Sequence, residues 1–96
     1  MTKIDIINKS AELTGLTKVE TELVFDSIIN SIKLSLSRGE RVDIRGFGSF
    51  ITKTKNEREA RNPATNETFI LGKRYIPSFK VSKLLKEFVD LEMKEI

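Results

Sequence analysis

Between residues 41 and 86 the chain carries eleven Lys and Arg side chains against four acids, a net charge of +7. The flanks are acidic, −1 over residues 1–40 and −3 over residues 87–96, so the whole-chain value of +3 conceals one strongly basic middle segment. Its cations include Arg45, Lys53, Lys55, Arg58, Arg61, Lys73, Arg74, Lys80, Lys83 and Lys86. Lys and Arg are donors that keep their proton at neutral pH, so together they hold anions rather than move protons. Charge alone does not separate an anion-binding surface from an ordinary solvated basic face. Other chemistries lack their reagents. With no His and no Cys, the usual general base at neutral pH, the commonest metal ligand and the thiolate nucleophile are all missing. A paired-carboxylate or Lys site would have to serve instead, and the acids sit mostly on the polar faces of helical segments. No enzyme, metal, cofactor or small-molecule substrate is expected.

Ninety-six residues make one modest domain, 39% hydrophobic and 32% charged. A chain this short buries a limited core, for which a partner subunit is a common remedy. Met1-Thr2-Lys3-Ile4-Asp5 has no uncharged h-region, so no signal peptide is expected. No apolar run approaches the ~20 residues that span a bilayer. There is no strongly basic amphipathic helix to lie on one either. The expected location is the cytoplasm.

The elements that must position the cations follow from periodicity. Thr2-Lys3-Ile4-Asp5 and Thr17-Lys18-Val19-Glu20 have the spacing of capping boxes. Each opens a helix with apolar residues at helical intervals: Ile4, Ile7 and Ala11 in the first; Phe25, Ile28, Ile29, Ile32 and Leu36 in the second. Gly15 and Gly39 close them. From Glu40 the period becomes two. Arg41-Val42-Asp43-Ile44-Arg45 reads as a half-buried strand, Gly46-Phe47-Gly48 as a turn, and Ser49 to Thr52 as the next strand. Residues 53–62 and 67–74 are mostly polar on both faces, with too few apolar side chains for a body strand, and are joined through Pro63 and Asn66, the latter able to take a positive φ. Ten residues of such ribbon extend roughly 33 Å. An isolated two-stranded ribbon is marginal in water, so this one is either an ordinary flexible loop or is ordered against an anionic partner. Tyr75 to Phe79 forms a further strand, with Pro77 pointing to an edge. Ser82 caps a last helix.

Gly46-Phe47-Gly48-Ser49-Phe50, followed by Arg58-Glu59-Ala60-Arg61-Asn62-Pro63-Ala64-Thr65, resembles the HU/integration host factor family. The likeness runs on through Pro77, Phe79 and Lys83-Leu84-Leu85-Lys86. The Arg-Asn-Pro core in that order and spacing is a specific signal. The resemblance implies an α+β fold: a helical hairpin over residues 1–39, a three-stranded antiparallel sheet over 40–80 with a long ribbon arm at about 53–74, and a short C-terminal helix and tail over 81–96. It also implies an intertwined dimer of the chain with itself or with a paralogous subunit. Such dimers bind double-stranded DNA in the minor groove and bend it, serving nucleoid organisation, recombination, replication or transcription.

By the same resemblance, Pro63 would insert between base pairs, where by itself it reads only as a turn proline. Arg58, Arg61 and Asn62 would lie along the groove. Lys53, Lys55, Lys73 and Arg74 would face phosphates at the arm base, and Lys80, Lys83 and Lys86 the flanking backbone. Ser82 would offer a helix N-terminus, and Lys3 is a further candidate. Phe47, Phe50 and Phe79 read as core and dimer interface, and so do Phe25, Ile29 and Ile32. The run Gly39 to Phe50, with Gly72 to Pro77, is closer to the beta-subunit branch of integration host factor, in which Asp43 with Arg45 would aid sequence preference. Ala60, Asn66 and Ser82 replace glycines common in the family. Glu57, Glu59 and Glu67 make the arm less cationic than in many members. The rival class is a protein-binding module whose ribbon adds a strand to a partner's sheet.

Overall fold

A computed structural model of the chain describes residues 1–95 as three helices and five strands. They form two compact units, one ending at Leu34 and the other beginning at Ser35 within the second helix. Among the described residues no helix is long and apolar enough to cross a membrane.

In the first unit, Thr2 opens α1 (Lys3–Thr14) with a complete capping box. Its hydroxyl accepts the Asp5 N–H at 3.3 Å, and the Asp5 carboxylate accepts the Thr2 N–H at 2.8 Å. Gly15, at φ 76°, closes the helix by donating to the Ala11 carbonyl at 3.0 Å. The Thr17 hydroxyl accepts the Glu20 N–H at 3.1 Å and starts α2 (Lys18–Ser37), so of the expected second box this half forms. Ile7, Ala11 and Thr21 are buried. The rest of the apolar stripe is not a closed core within one chain. Phe25 and Ile32 are half-buried, while Ile29, Leu23 and Val19 are exposed. A helical hairpin has one internal seam, and an apolar stripe wider than that seam needs another layer to cover it.

The second unit holds the antiparallel sheet β1-β2-β5, built from β1 (Val42–Ile44), β2 (Gly48–Lys55) and β5 (Arg74–Val81). The first strand stops at Ile44, one residue before the expected end. There the Phe47 N–H donates to the Ile44 carbonyl at 2.9 Å and Gly46 turns at φ 82°. Phe50 lies opposite both Val42 and Phe79, and Gly48 opposite both Ile44 and Val81. Because side chains alternate along a strand, Val42, Ile44, Phe50, Phe79 and Val81 share one face. Asp43, Ser49, Lys80, Lys53, Lys55 and Arg74 share the other. Pro77 lies on the edge strand β5, where its missing N–H breaks no ladder to a further strand.

The Ser82 hydroxyl accepts the Leu85 N–H at 3.0 Å and caps α3 (Lys83–Lys94). No residue of this helix is buried; Leu84, Phe88, Leu91 and Met93 are all exposed. The expected C-terminal helix and tail together run to Ile96, which lies outside the described residues.

The arm is not one continuous ladder over 53–74. Pairing of β2 with β5 ends at Lys55 opposite Arg74. It resumes with β3 (Arg58–Arg61) against β4 (Thr68–Leu71), Arg58 opposite Leu71. Residues 56–57 and 72–73 carry no strand pairing, yet the register on the two sides is the same, so the ladder is interrupted rather than shifted.

Candidate nucleic-acid interface

The cationic sheet face is set by register. Lys53 and Lys55 lie two residues apart on β2, and Arg74 stands directly opposite Lys55. Lys80 stands opposite Ser49 at the far end of the same face. Among the described residues, none of Arg45, Lys53, Lys55, Arg58, Arg61, Lys73, Arg74, Lys80 and Lys86 has an ion-pair partner. Their charges are therefore free to meet an external anion. Lys73 is additionally set over the Tyr75 ring, 5.6 Å from its centroid.

Lys3 differs. Its ammonium pairs with Asp26 at 2.8 Å and lies 6.0 Å from the Phe25 ring centroid. The hydrogen bond it donates to the Asp26 carboxylate holds its pKa above the ordinary lysine value. Its charge is already matched inside the helical unit. Lys83 has a loose neighbour in Glu87 at 3.8 Å, both well exposed. The N-terminal turn of α3 is shaped by Ser82, whose own N–H donates to the Phe47 carbonyl at 2.9 Å.

At the arm tip, residues 62–67 form a turn closed by its own hydrogen bonds. The Asn62 N–H donates to the Glu67 carbonyl at 2.8 Å, and the Asn66 N–H donates to the Asn62 carbonyl at 2.7 Å. The Asn62 side-chain oxygen accepts the Ala64 N–H at 3.0 Å. Asn66 takes the left-handed conformation, φ 62°, as its residue type allows. Pro63 sits exposed in this turn. Asn62 therefore spends its carbonyl oxygen on shaping the tip and keeps its NH₂ as donor. Arg58 and Arg61, three residues apart on β3, project from opposite faces of the ribbon. Arg58 shares a face with Ala60, Phe69 and Leu71; Arg61 shares one with Glu59, Thr68 and Ile70.

Asp43 and Arg45 are not brought together. Asp43 is held instead by the Arg41 guanidinium at 2.7 Å and by the Ser49 hydroxyl, which also accepts from Arg41 at 3.2 Å. The Ser49 hydroxyl, then Arg41, keep the Asp43 carboxyl below its ordinary pKa. Arg41 and Ser49 were missed in the sequence. Their signal was the two-residue spacing of Arg41 and Asp43 and the turn that folds Ser49 back beside Asp43. A cleft of about 440 Å³ runs past Arg41, Asp43, Arg45, Ser49, Lys80 and Ser82. It joins Arg45 and Lys80, which have no ion-pair partner among the described residues, to the Arg41–Asp43–Ser49 group and the start of α3. Among the described residues no three His, Cys, Asp or Glu cluster as metal ligands.

The model of the family described as bacterial DNA-binding protein matches residues 1–90. Integration host factor subunit beta of Nitrosomonas europaea is 41% identical over 99% of this chain and 91% of its own length. DNA-binding protein HU of Staphylococcus aureus is 39% identical over 93% of this chain and 99% of its own. Among solved structures, Anabaena HU in a cocrystal with DNA superposes with a TM-score of 0.86 at 34% identity, covering 93% of this chain and 97% of that one. The three helices with antiparallel strands are thus the α+β fold of HU, and the family binds DNA rather than catalysing a reaction. The chain belongs to the bacterial DNA-binding protein family, that of HU and integration host factor.

Proposed function

We propose that this chain grips duplex DNA through the minor groove with its ribbon arm and bends it by setting Pro63 between base pairs. The observation that carries the reading is Pro63 itself. It is exposed on a tip pinned by its own hydrogen bonds, at the end of a ribbon whose cations have no ion-pair partner among the described residues. A proline ring is apolar, stiff and without an N–H, so it can replace part of a base stack. Minor-groove architectural proteins, HU and integration host factor among them, use such wedges. Unstacking costs a few kcal/mol per step and is offset as the bent duplex meets more protein. Arg58, Arg61 and the Asn62 amide serve the groove, where arginine reads width and negative potential. Lys53, Lys55, Lys73, Arg74, Lys80, Lys83 and Lys86 serve phosphates, and Arg45 the groove edge.

The working form is a dimer with a second copy or a paralogous subunit. The described residues bury only Ile7 and Ala11 among the hydrophobics and leave Leu23, Ile28, Ile29, Phe47, Phe79, Leu84 and Phe88 exposed. Apolar surface on that scale marks an interface. Bent DNA then serves nucleoid organisation and the assembly of recombination, replication or transcription complexes.

Exposed Phe69 and Ile70 on β4, 47% and 68% accessible, favour a second reading in which the ribbon adds a strand to a protein partner. Salt titration with competition decides between the two. Binding of duplex DNA should weaken with salt at a slope of about −0.9 per phosphate contact. A flat slope, or a protein complex that excess duplex fails to displace, would favour the strand-addition reading.

A further inference from the structure

Helix α3 carries more apolar surface than one packing seam can use. None of its residues is buried, and at about 100° per residue its apolar side chains span more than half of the circumference. They fall into two rows. Leu85, Val89 and Met93, at steps of four, line with Val81 a hollow of about 450 Å³. Val81 shares the sheet face of Phe50 and Phe79, so this row continues the apolar surface of the dimer. Leu84, Phe88 and Leu91, at steps of four and three, form the second row and are 64%, 61% and 63% exposed. Glu92 falls between the two rows at helical spacing and keeps them apart.

The second row matches itself when turned end for end. In an antiparallel pair of these helices Leu84 meets Leu91 of the other copy and Phe88 meets Phe88, the self-complementary arrangement of a two-fold contact. The charges agree. Residues 83–88 hold Lys83, Lys86 and Glu87, a net of +1, and residues 89–95 hold Asp90, Glu92, Lys94 and Glu95, a net of −2. Antiparallel pairing lays each positive half along a negative one and opposes the helix dipoles, whereas parallel pairing sets like against like. Along one flank, Lys83 pairs with Glu87 at 3.8 Å and Lys94 with Asp90 at 2.9 Å, so that flank presents no net charge to an identical helix. From these observations we infer that the Leu84–Phe88–Leu91 row is a contact between copies of this chain, separate from the dimer seam, which pairs α3 of one dimer with α3 of the next. Three rungs bury less than the ~1,200 Å² of a stable interface. The contact is therefore weak in dilute solution and forms where dimers are held close, as on DNA. A dimer presents two such rows, so the contact bridges duplexes. This rests on the dimer and DNA-binding readings and goes beyond them.

The test is a bridging assay with the full-length protein: a bead-bound duplex is saturated with protein, washed, and offered a second, labelled duplex. Light scattering over rising concentration follows the free protein in parallel. The unaltered protein should capture the second duplex and grow from two chain masses of 11.0 kDa toward four. Phe88→Glu should keep the two-chain mass and the binding of the first duplex, yet cut capture about tenfold or more, because a charge buried without a partner is costly. Mixing Phe88→Glu with Phe88→Lys should restore capture, since the two charges then meet at the central rung. Leu91→Glu repeats the test should Phe88→Glu lower the melting midpoint. No capture by the unaltered protein, or capture that survives both Glu variants, would overturn the contact. A mixture that fails to recover would overturn the Phe88–Phe88 rung. A single-chain mass for Phe88→Glu would place the row in the dimer seam, overturning the inference while the dimer stands. Failure to bind even the first duplex would remove the DNA reading itself.

Discussion

The Phe79 ring occupies the space where a side chain on Gly48 would begin. A Cβ built on Gly48 falls 2.5 Å from Phe79 Cζ and 2.6 Å from the Lys80 carbonyl oxygen. Phe79 in turn packs on Phe50 and Phe47, at centroid separations of 4.8 and 5.4 Å. Gly48 therefore serves close packing, whereas Gly46, at φ 82°, serves the turn. Gly48→Ala should destabilise by about 2 kcal/mol, in the range of overpacked cores. Thermal melts at equal protein concentration check this. An unchanged midpoint would mean that the aromatic cluster yields more readily than its geometry implies.

The stability of the chain should fall as acid protonates Asp5 and Asp43. The Thr2 N–H and hydroxyl lower the Asp5 pKa, and the Ser49 hydroxyl and Arg41 lower that of Asp43. A carboxylate whose folded pKa is depressed contributes fully above its unfolded value, about 4, and loses that contribution as pH falls through the folded value. Urea midpoints should decline below about pH 4, and Asp43→Asn should reduce the decline. Lys3 runs the other way: its raised pKa contributes below its unfolded value and is lost as pH rises through the folded one. Identical acid profiles for the two proteins would contradict the Asp43 assignment.

Lys3 and Lys80 carry the same charge in different circumstances. Lys80 has no acid partner among the described residues, and Lys3 is bound to Asp26. Lys80→Gln should lower the salt slope of DNA binding by about 0.9, and Lys3→Gln should lower it less while weakening the helical unit. Equal losses of slope would return Lys3 to the interface on the same footing as Lys80.

Much of this was legible in the chain because local chemistry fixed it. Thr2 with Asp5, Gly15, Asn66 and Ser82 each have one physical use at their position, and each is found in it. The shift from helical to twofold period at Glu40 placed the sheet, and Pro77 its edge. What stayed hidden depended on pairs distant in sequence. Which arginine meets Asp43 is set by the β1–β2 turn and Ser49. That Arg58 and Arg61 part to opposite faces follows from β3 being regularly extended. That Lys55 meets Arg74 at the last rung before residues 56–57 and 72–73 is visible only once register is known. Exposure of Ile29, Phe47 and Phe79 likewise reflects surface that a single chain does not cover.

A second subunit should supply that cover. Light scattering at micromolar concentration should give twice the chain mass of 11.0 kDa, and the melting midpoint should rise with protein concentration as mass action requires. Ile29→Lys should lower both, because it places a charge in apolar surface. A concentration-independent midpoint with a single-chain mass would contradict the dimer.

Bending is the central claim, and end-to-end fluorescence transfer across a short duplex measures it directly. Addition of the protein should bring the labelled ends closer, and Pro63→Ala, with its fold verified by circular dichroism, should bind yet shorten the distance less. A duplex that stays straight when saturated with protein would contradict the account, and a bend unaltered by Pro63→Ala would take the wedge away from Pro63.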